Sequence, residues 1–320
     1  MRHYGALALA LAFAANASAA ERLTLATWTL EWMMTPQTFD SLAARCLKPG
    51  MRAGGSDRAI YCDLVPKARW DAADLARLQR FAATLPADVI ALQETDGPDA
   101  AAQVFPDHSF CFTRRKHVQN VGFAVRRGIP FRCNRDLRAL GLDGNDVRWG
   151  ADISLYPGTP QEIRLLSVHL KSACHRDPLT SARPDCRTLQ QQVPILEDWI
   201  DRRARSRVAF AVLGDFNRRF DRESKQARDA RGRITSLWPE IDDGEPAEAD
   251  LSDAGTDHGP VGCNNGQGVR MPIDYLVFSR TLSRRLVPGS FRSLDYPAGG
   301  RWPDHCVISV QLELERAHGV

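Results

Sequence analysis

Acids, imidazoles and amides recur in this chain where apolar runs begin or end. Glu94 follows DVIALQ, His169 and Lys171 close IRLLSVHLKS, Asp215 and Asn217 follow VAFAVLG, Asp274 opens DYLVFS, and Asp304 with His305 stands directly before CVISVQLEL. Taken singly, a carboxylate after an apolar run is a turn former or a helix cap, and a histidine is a surface or core residue. Five positions built only from Asp, Glu, His, Lys and Asn form a coherent chemical set. Carboxylates such as Glu94 and Asp304 suit a hard divalent cation, Mg²⁺ above all, which takes one or two protein carboxylates and keeps water or phosphate as its other ligands. Asp274 is expected to hold His305 in one tautomer, so that the imidazole activates water or donates to a phosphoryl oxygen. Asp215 is expected to orient the attacking water, and Asn217 to donate to a non-bridging oxygen. The parts together describe metal-assisted hydrolysis of a phosphate ester by in-line attack.

Such residues work only if strands carry them to one rim. LTLATW (23–28), DVIALQ (88–93), NVGFAV (120–125), ADISLY (151–156), IRLLSVHL (163–170), RVAFAVLG (207–214), IDYLVFS (273–279) and VISVQLEL (307–314) read as strands by their apolar or alternating character. Two helical patterns lie between them: 71–85, with Asp71 as N-cap and Leu75, Leu78, Phe81 and Leu85 on one face, and 188–203, with Leu189, Val193, Leu196 and Ile200 on one face and Pro194 inside. Many strands, few helices and turn-rich joints predict an α/β sandwich with largely antiparallel sheets. No repeat and no low-complexity linker divides the chain, so residues 21–320 read as a single domain, with irregular stretches at 33–70, 171–187 and 220–272.

Residues 1–20 have a basic start, a short apolar run and the small residues Ala17-Ser18-Ala19, which reads as a secretory signal peptide and predicts an exported protein, periplasmic or extracellular. No stretch approaches the length of a spanning helix, so no integral membrane association is expected and the chain reads as a monomer. With 42 basic and 39 acidic residues the formal net charge is +3, which permits a polyanionic substrate without demanding one. All eight cysteines follow the signal, and in an oxidising compartment an even set means disulfides. Pairing of sequence neighbours is expected: Cys46 with Cys62, Cys111 with Cys133, Cys174 with Cys186, and Cys263 with Cys306. A zinc site is the poorer reading, because no Cys-x-x-Cys or close Cys/His quartet occurs.

In order along the chain, TWTLEWM, VIALQET, SVHLKS, LGDFNRR, PIDYLVFS and PDHCVISV resemble the endonuclease/exonuclease/phosphatase superfamily typified by deoxyribonuclease I. The resemblance runs from about residue 22 to 314. It implies a four-layer α/β sandwich with two packed mixed sheets flanked by helices, and cleavage of phosphodiesters or phosphomonoesters with Mg²⁺, sometimes Mn²⁺ or with Ca²⁺. It further implies Glu94 as a metal ligand, Asp304 as a metal ligand or its neighbour, His169 and Lys171 at the phosphate, Asp215 with Asn217 as the Gly-Asp-Phe-Asn pair, and Asp274 with His305 as the Asp-His pair. Asp215 and His305 both remain candidates for the base. One departure stands out: Thr29 occupies the place of the usual asparagine of the first block. Glu31, two residues on, is expected on the same side of the strand by alternation, close enough to help hold the metal.

Basic clusters at Arg114-Arg115-Lys116-His117, Arg126-Arg127, Arg148 and Arg218-Arg219 would track a nucleic-acid backbone if they converge, and are solvated charges if they do not. Three functions remain open at this point. The first is a secreted nuclease acting on DNA and possibly also RNA. The second is a phosphodiesterase or phosphatase acting on phospholipid, of the sphingomyelinase kind, or on small phosphoesters. The third is a binding protein on the same fold, impaired in catalysis through Thr29.

Overall fold

All eight expected strand segments are strands in the computed structural model, which describes residues 21–46, 62, 65, 69–142, 147–256, 264 and 272–314, and the backbone alone of 52–53, 60–61, 263 and 269–270. In chain order the strands are β1 (Arg22–Met33), β2 (Arg52–Ala53), β3 (Ile60–Tyr61), β4 (Val89–Thr95), β5 (His108–Phe112), β6 (Asn120–Arg126), β7 (Phe131–Cys133), β8 (Ala151–Leu155), β9 (Ile163–His169), β10 (Ala209–Asp215), β11 (Ser252–Asp253), β12 (Cys263–Asn264), β13 (Val269–Arg270), β14 (Asp274–Phe278), β15 (Arg292–Leu294) and β16 (Val307–Glu313). Twelve of them build two six-stranded sheets, ordered β15-β16-β1-β4-β6-β5 and β11-β14-β10-β9-β8-β7. Each sheet has one parallel pair, β1 with β4 in the first and β9 with β10 in the second, among antiparallel neighbours.

Both faces of each sheet are covered, and the side chains show how. Along β9, Ile163 and Leu165 pack between the sheets with Leu25, Phe123 and Val310, while Leu166 and Val168 face outward onto Leu189, Val193 and Ile200 of the helix Pro184–Arg205. On the first sheet, Trp28, Leu30 and Ile90 turn outward to Leu75 and Leu78 of the helix Ala72–Thr84. The result is the expected four-layer sandwich of helix, sheet, sheet and helix. The first of these helices starts where the sequence places it, because Asp71 and Asp74 form a reciprocal capping box. The second begins four residues before the expected 188: Pro184 sits in its first turn, where a missing N–H is harmless.

Three of the expected disulfides are present, with Cα–Cα distances of 5.3 Å for Cys46–Cys62, 5.8 Å for Cys111–Cys133 and 5.1 Å for Cys174–Cys186. Cys111 lies on β5 and Cys133 on β7, so this bond ties the edge of one sheet to the edge of the other. The fourth expected pair involves the side chain of Cys263, which lies outside the described residues, as does the expected signal peptide. No helix among the described residues is long and apolar enough to cross a membrane.

Candidate active site

Strand register assembles the site. Parallel pairing sets His169 of β9 opposite Asp215 of β10, and antiparallel pairing sets Asp215 opposite Asp274 of β14. Three expected residues therefore stand abreast on one rim of the second sheet. The first sheet brings to the same rim Glu94 near the end of β4, Thr29 and Glu31 near the end of β1, and His305 just ahead of β16. Bonds then cross between the sheets: Asp274 Oδ2 lies 2.7 Å from His305 Nδ1, and Gln93 Nε2 donates to Ser167 Oγ at 3.0 Å.

Local backbone explains several placements. Gly214 has φ 141°, and a Cβ there would lie 2.1 Å from the Val168 carbonyl oxygen, so only glycine lets β10 approach β9 closely enough to deliver Asp215. Glu31 reaches the rim through a bulge and not by the expected alternation. The β1–β4 register shifts between Thr29 and Met33, and Glu31 (φ 44°) and Trp32 (φ 60°) adopt left-handed backbone. Glu94 (φ 56°) and Asn217 (φ 53°) do the same. Non-glycine residues in that region cost about 1 kcal/mol or more each, and Glu31, Trp32, Glu94 and Asn217 carry that cost close to one rim.

Asp215 is held on both oxygens: the backbone N–H of Asn217 donates to Oδ1 at 2.7 Å and Asn217 Nδ2 to Oδ2 at 3.0 Å. The same amide nitrogen also donates to the Leu170 carbonyl at 3.0 Å, so Asn217 braces Asp215 and ties it to the end of β9. His169 Nε2 is 3.4 Å from Asp215 Oδ2 and 3.9 Å from Glu94 Oε1, and its buried Nδ1 has no hydrogen-bond partner among the described residues. A proton on Nδ1 would be an orphaned donor, so the hydrogen sits on Nε2 and points at the carboxylates. Lys171, expected at the phosphate, is drawn elsewhere: its ammonium is 2.6 Å from Asp185 Oδ1 and donates to the Ser172 carbonyl.

Burial and charge pull these groups apart in protonation. Burial, then Asp274, raises Asp215 to about 8. Burial, then Asp304, raises Glu94 to about 7, with Glu31 adding to the effect. Burial alone would lower His305, but the charge and hydrogen bond of Asp274, with Asp215 and Asp304, outweigh it and lift the imidazole to about 10. Burial and the charge of Arg148 drive His169 well below the usual histidine range, which leaves it neutral. His305 is thus the cation of the rim and His169 its neutral donor.

Donor atoms of Asp215, Asp274 and His305 all lie within 4.8 Å of one another and form one possible metal group. Glu94, Asp304 and Glu31, the metal ligands expected from sequence, do not form such a group among the described residues; they are linked by charge, Asp304 and Glu31 adding to burial in raising Glu94, a strain that a bound cation would relieve. The donors are oxygen-rich, as a hard divalent ion requires.

Three supporting residues escaped sequence reasoning. Gln119 Nε2 donates to Glu94 Oε1 at 2.6 Å; Tyr296 donates to the backbone carbonyl of His305 and accepts from Trp28 Nε1 at 2.6 Å; Ser167 holds Gln93. No sequence signal marks them, because each acts through contacts remote in the chain. The basic clusters also changed meaning. Arg148 is buried under the rim and donates to the carbonyls of His169 and Leu170, while Arg218 and Arg219 are buried in pairs with Glu223 and Asp221. Beside Asp274 opens a cavity of about 270 Å³ whose walls include Phe220, Trp238, Tyr275, Phe291, Asp221 and Asp253.

A four-layer sandwich with this rim defines a class of phosphoesterase fold, and comparison with known proteins agrees. The endonuclease/exonuclease/phosphatase family matches residues 58–303, well over half of the chain, and the chain belongs to that family. Among solved structures it is similar to TDP2 from Caenorhabditis elegans, at 13% identity and TM-score 0.54 over 92% of this chain and 74% of that one. It is also similar to the human Nocturnin catalytic domain, at 11% identity and TM-score 0.54 over 92% and 94%. A third is a 3′ phosphatase, NExo, from Neisseria, bound to a product DNA hairpin, at 16% identity and TM-score 0.51 over 91% and 99%. These likenesses are of fold. A search of curated protein sequences finds no match.

Proposed function

We propose that the chain is an exported, divalent-metal-dependent phosphodiesterase that hydrolyses nucleic acid, DNA first, by in-line attack of water. The observation that carries this reading is the row His169–Asp215–Asp274 on one sheet, facing the Asp274-bound His305 and the acidic Glu94 from the other. Glu94 and Asp304, with Glu31, would hold the ion. A bound Mg²⁺, or Mn²⁺ or Ca²⁺ in its place, would supply Lewis-acid polarisation of a phosphoryl oxygen.

The chain's own residues divide the remaining work. Asp215, raised to about 8 and fixed on both oxygens by Asn217, accepts the proton of the attacking water. His305, kept charged by Asp274, donates to a non-bridging oxygen as negative charge grows there. His169, kept neutral, turns its Nε2–H toward Asp215 Oδ2, 3.4 Å away, and steadies that carboxylate. Thr29 Oγ1 lies 3.2 Å from Gln93 Oε1 and 3.4 Å from Asp274 Oδ1 and donates to one of them at a time, so it supports Asp274 where an asparagine is the family's usual choice.

The cavity beside Asp274 is smaller than the roughly 300 Å³ at which drug-sized pockets begin, which suits one ring system attached near the reacting phosphate, such as a nucleobase. The same walls favour one other reading, a choline phosphodiester, because aromatic faces beside carboxylates also bind quaternary ammonium groups. Equal concentrations of the disulfide-intact protein should be offered a DNA oligonucleotide, sphingomyelin vesicles and a nitrophenyl phosphate monoester, each with Mg²⁺ and with a chelator. Metal-dependent cleavage of DNA above the other two supports the nuclease; preference for sphingomyelin replaces it with the lipid reading.

A further inference from the structure

We infer that Gln119 is a positioning residue for Glu94, supplying the side-chain amide that fixes the proposed metal carboxylate in a chain whose first strand carries Thr29. This rests on the reading of Glu94 as a metal ligand. Gln119 Nε2 donates to Glu94 Oε1 at 2.6 Å, while the Thr29 hydroxyl is engaged with Gln93 and Asp274. Gln119 is only 8% exposed and lies just before β6, on the loop that returns from β5.

The loop is built around that one contact. The Gln119 backbone N–H donates to His117 Nδ1 at 3.0 Å, and the Gln119 carbonyl accepts from Arg115 Nη2 at 2.5 Å. Asn120 Nδ2 then donates to the carbonyls of His117 and Asp96. Arg115, His117, Gln119 and Asn120 are all buried, an unusual density of polar side chains for a loop. Their bonds fix the backbone of Gln119 on both sides, the point from which its carboxamide reaches Glu94.

A loop that only plugged the rim would be served as well by leucine, which fills nearly the same space without a buried amide. Nor would a basic residue replace it. Lysine or arginine would hold Glu94 but neutralise it and repel an incoming cation, whereas an amide orients the carboxylate and leaves its charge intact. Amide donation to Glu94 is therefore suited to metal capture and adds little that packing requires.

The test is Mn²⁺ affinity of the full, disulfide-intact chain, followed by the electron paramagnetic resonance of free Mn²⁺, for the wild type, Glu94→Ala, Gln119→Leu and Gln119→Asn. Loss of a partner that orients a ligand weakens metal binding by about 10-fold to 100-fold. Both Gln119 variants should show a loss of that size with thermal midpoints close to wild type, and kcat should recover to within a few-fold as Mn²⁺ is raised. Should Gln119→Leu fail to fold, Gln119→Asn decides, since it keeps the amide and the backbone contacts but is one methylene too short. Wild-type Mn²⁺ affinity in the folded Gln119 variants, with Glu94→Ala weakened, overturns the positioning role alone. Undiminished binding by Glu94→Ala removes Glu94 as a ligand and takes both readings with it.

Discussion

Asp215 and His305 are neighbours, with Asp215 Oδ2 and His305 Nε2 4.0 Å apart, yet the rim drives one toward its neutral form and the other toward its charged form. In the proposed mechanism that division makes Asp215 the base and His305 the donor, a choice the sequence leaves open. Activity then needs Asp215 unprotonated and His305 protonated, so kcat/KM should follow a bell with an alkaline optimum between about 8 and about 10. Asp215→Asn and His305→Ala should each lower kcat by about 10²-fold to 10⁴-fold without unfolding the protein. Asp274→Asn should lower the His305 pKa, read by NMR, well below about 10, because the charge and hydrogen bond that do most to offset burial are lost and only Asp215 and Asp304 still oppose it. His305 is raised above its unfolded value of 6.5, so the stability it gains from Asp274 is full below that pH and is lost as pH rises through about 10. The penalty of Asp274→Asn on folding should accordingly be larger at pH 6 than at pH 10. A flat difference across that range would show that the pair is not ionised. At this scale the acids and histidines were legible because each ends or begins an apolar run. Gln119, Tyr296 and Ser167 were not, because hydrogen bonding across remote parts of the chain leaves no local pattern.

Elements carry these residues by register, and register is where single substitutions act most strongly. Gly214→Ala would set a methyl group against the Val168 carbonyl and force β10 from β9, so it should destabilise by more than about 2 kcal/mol and remove activity together with fold. Thermal unfolding checks this directly. On the helix Pro184–Arg205, Glu197 is raised to about 8 by burial first, then by Asp243, Asp201 and Glu240. A carboxyl raised in the folded state favours folding below its unfolded value of 4.5 and loses that contribution as pH rises through about 8. Glu197→Gln should therefore raise the thermal midpoint at pH 8 and leave it nearly unchanged at pH 4, with activity retained. The long strands and both major helices were readable from apolar periodicity and caps. The edge strands β5, β7, β11 and β15 were not: HSFCF, FRC, SD and RSL are too short or too mixed to show a period, and partners across the sheet define them. The bulge at Glu31 was hidden as well, since alternation assumes an unbroken strand.

In the whole molecule, the two sheets must hold still for residues from both to meet at one rim. Interlocked apolar side chains between them supply most of that rigidity, and Cys111–Cys133 adds a covalent tie between their edges. A disulfide closing a loop of this length contributes about 3 kcal/mol. Reduction, or the pair Cys111→Ser with Cys133→Ser, should lower the thermal midpoint clearly while leaving metal-dependent turnover measurable at low temperature. The layered architecture was foreseeable because six ordered motifs and eight apolar runs agree on it. The burial of Arg115, Arg148, Arg218 and Arg219 was not, because a run of basic residues reads the same whether it meets solvent or a buried partner. One measurement tests the proposed centre most directly: nicking of supercoiled plasmid by the disulfide-intact protein with Mg²⁺ and with EDTA, beside His305→Ala. Nicking by the wild type that disappears both with EDTA and with His305→Ala is the predicted result. Nicking that survives either treatment would contradict a centre built on Asp274, His305 and a divalent cation.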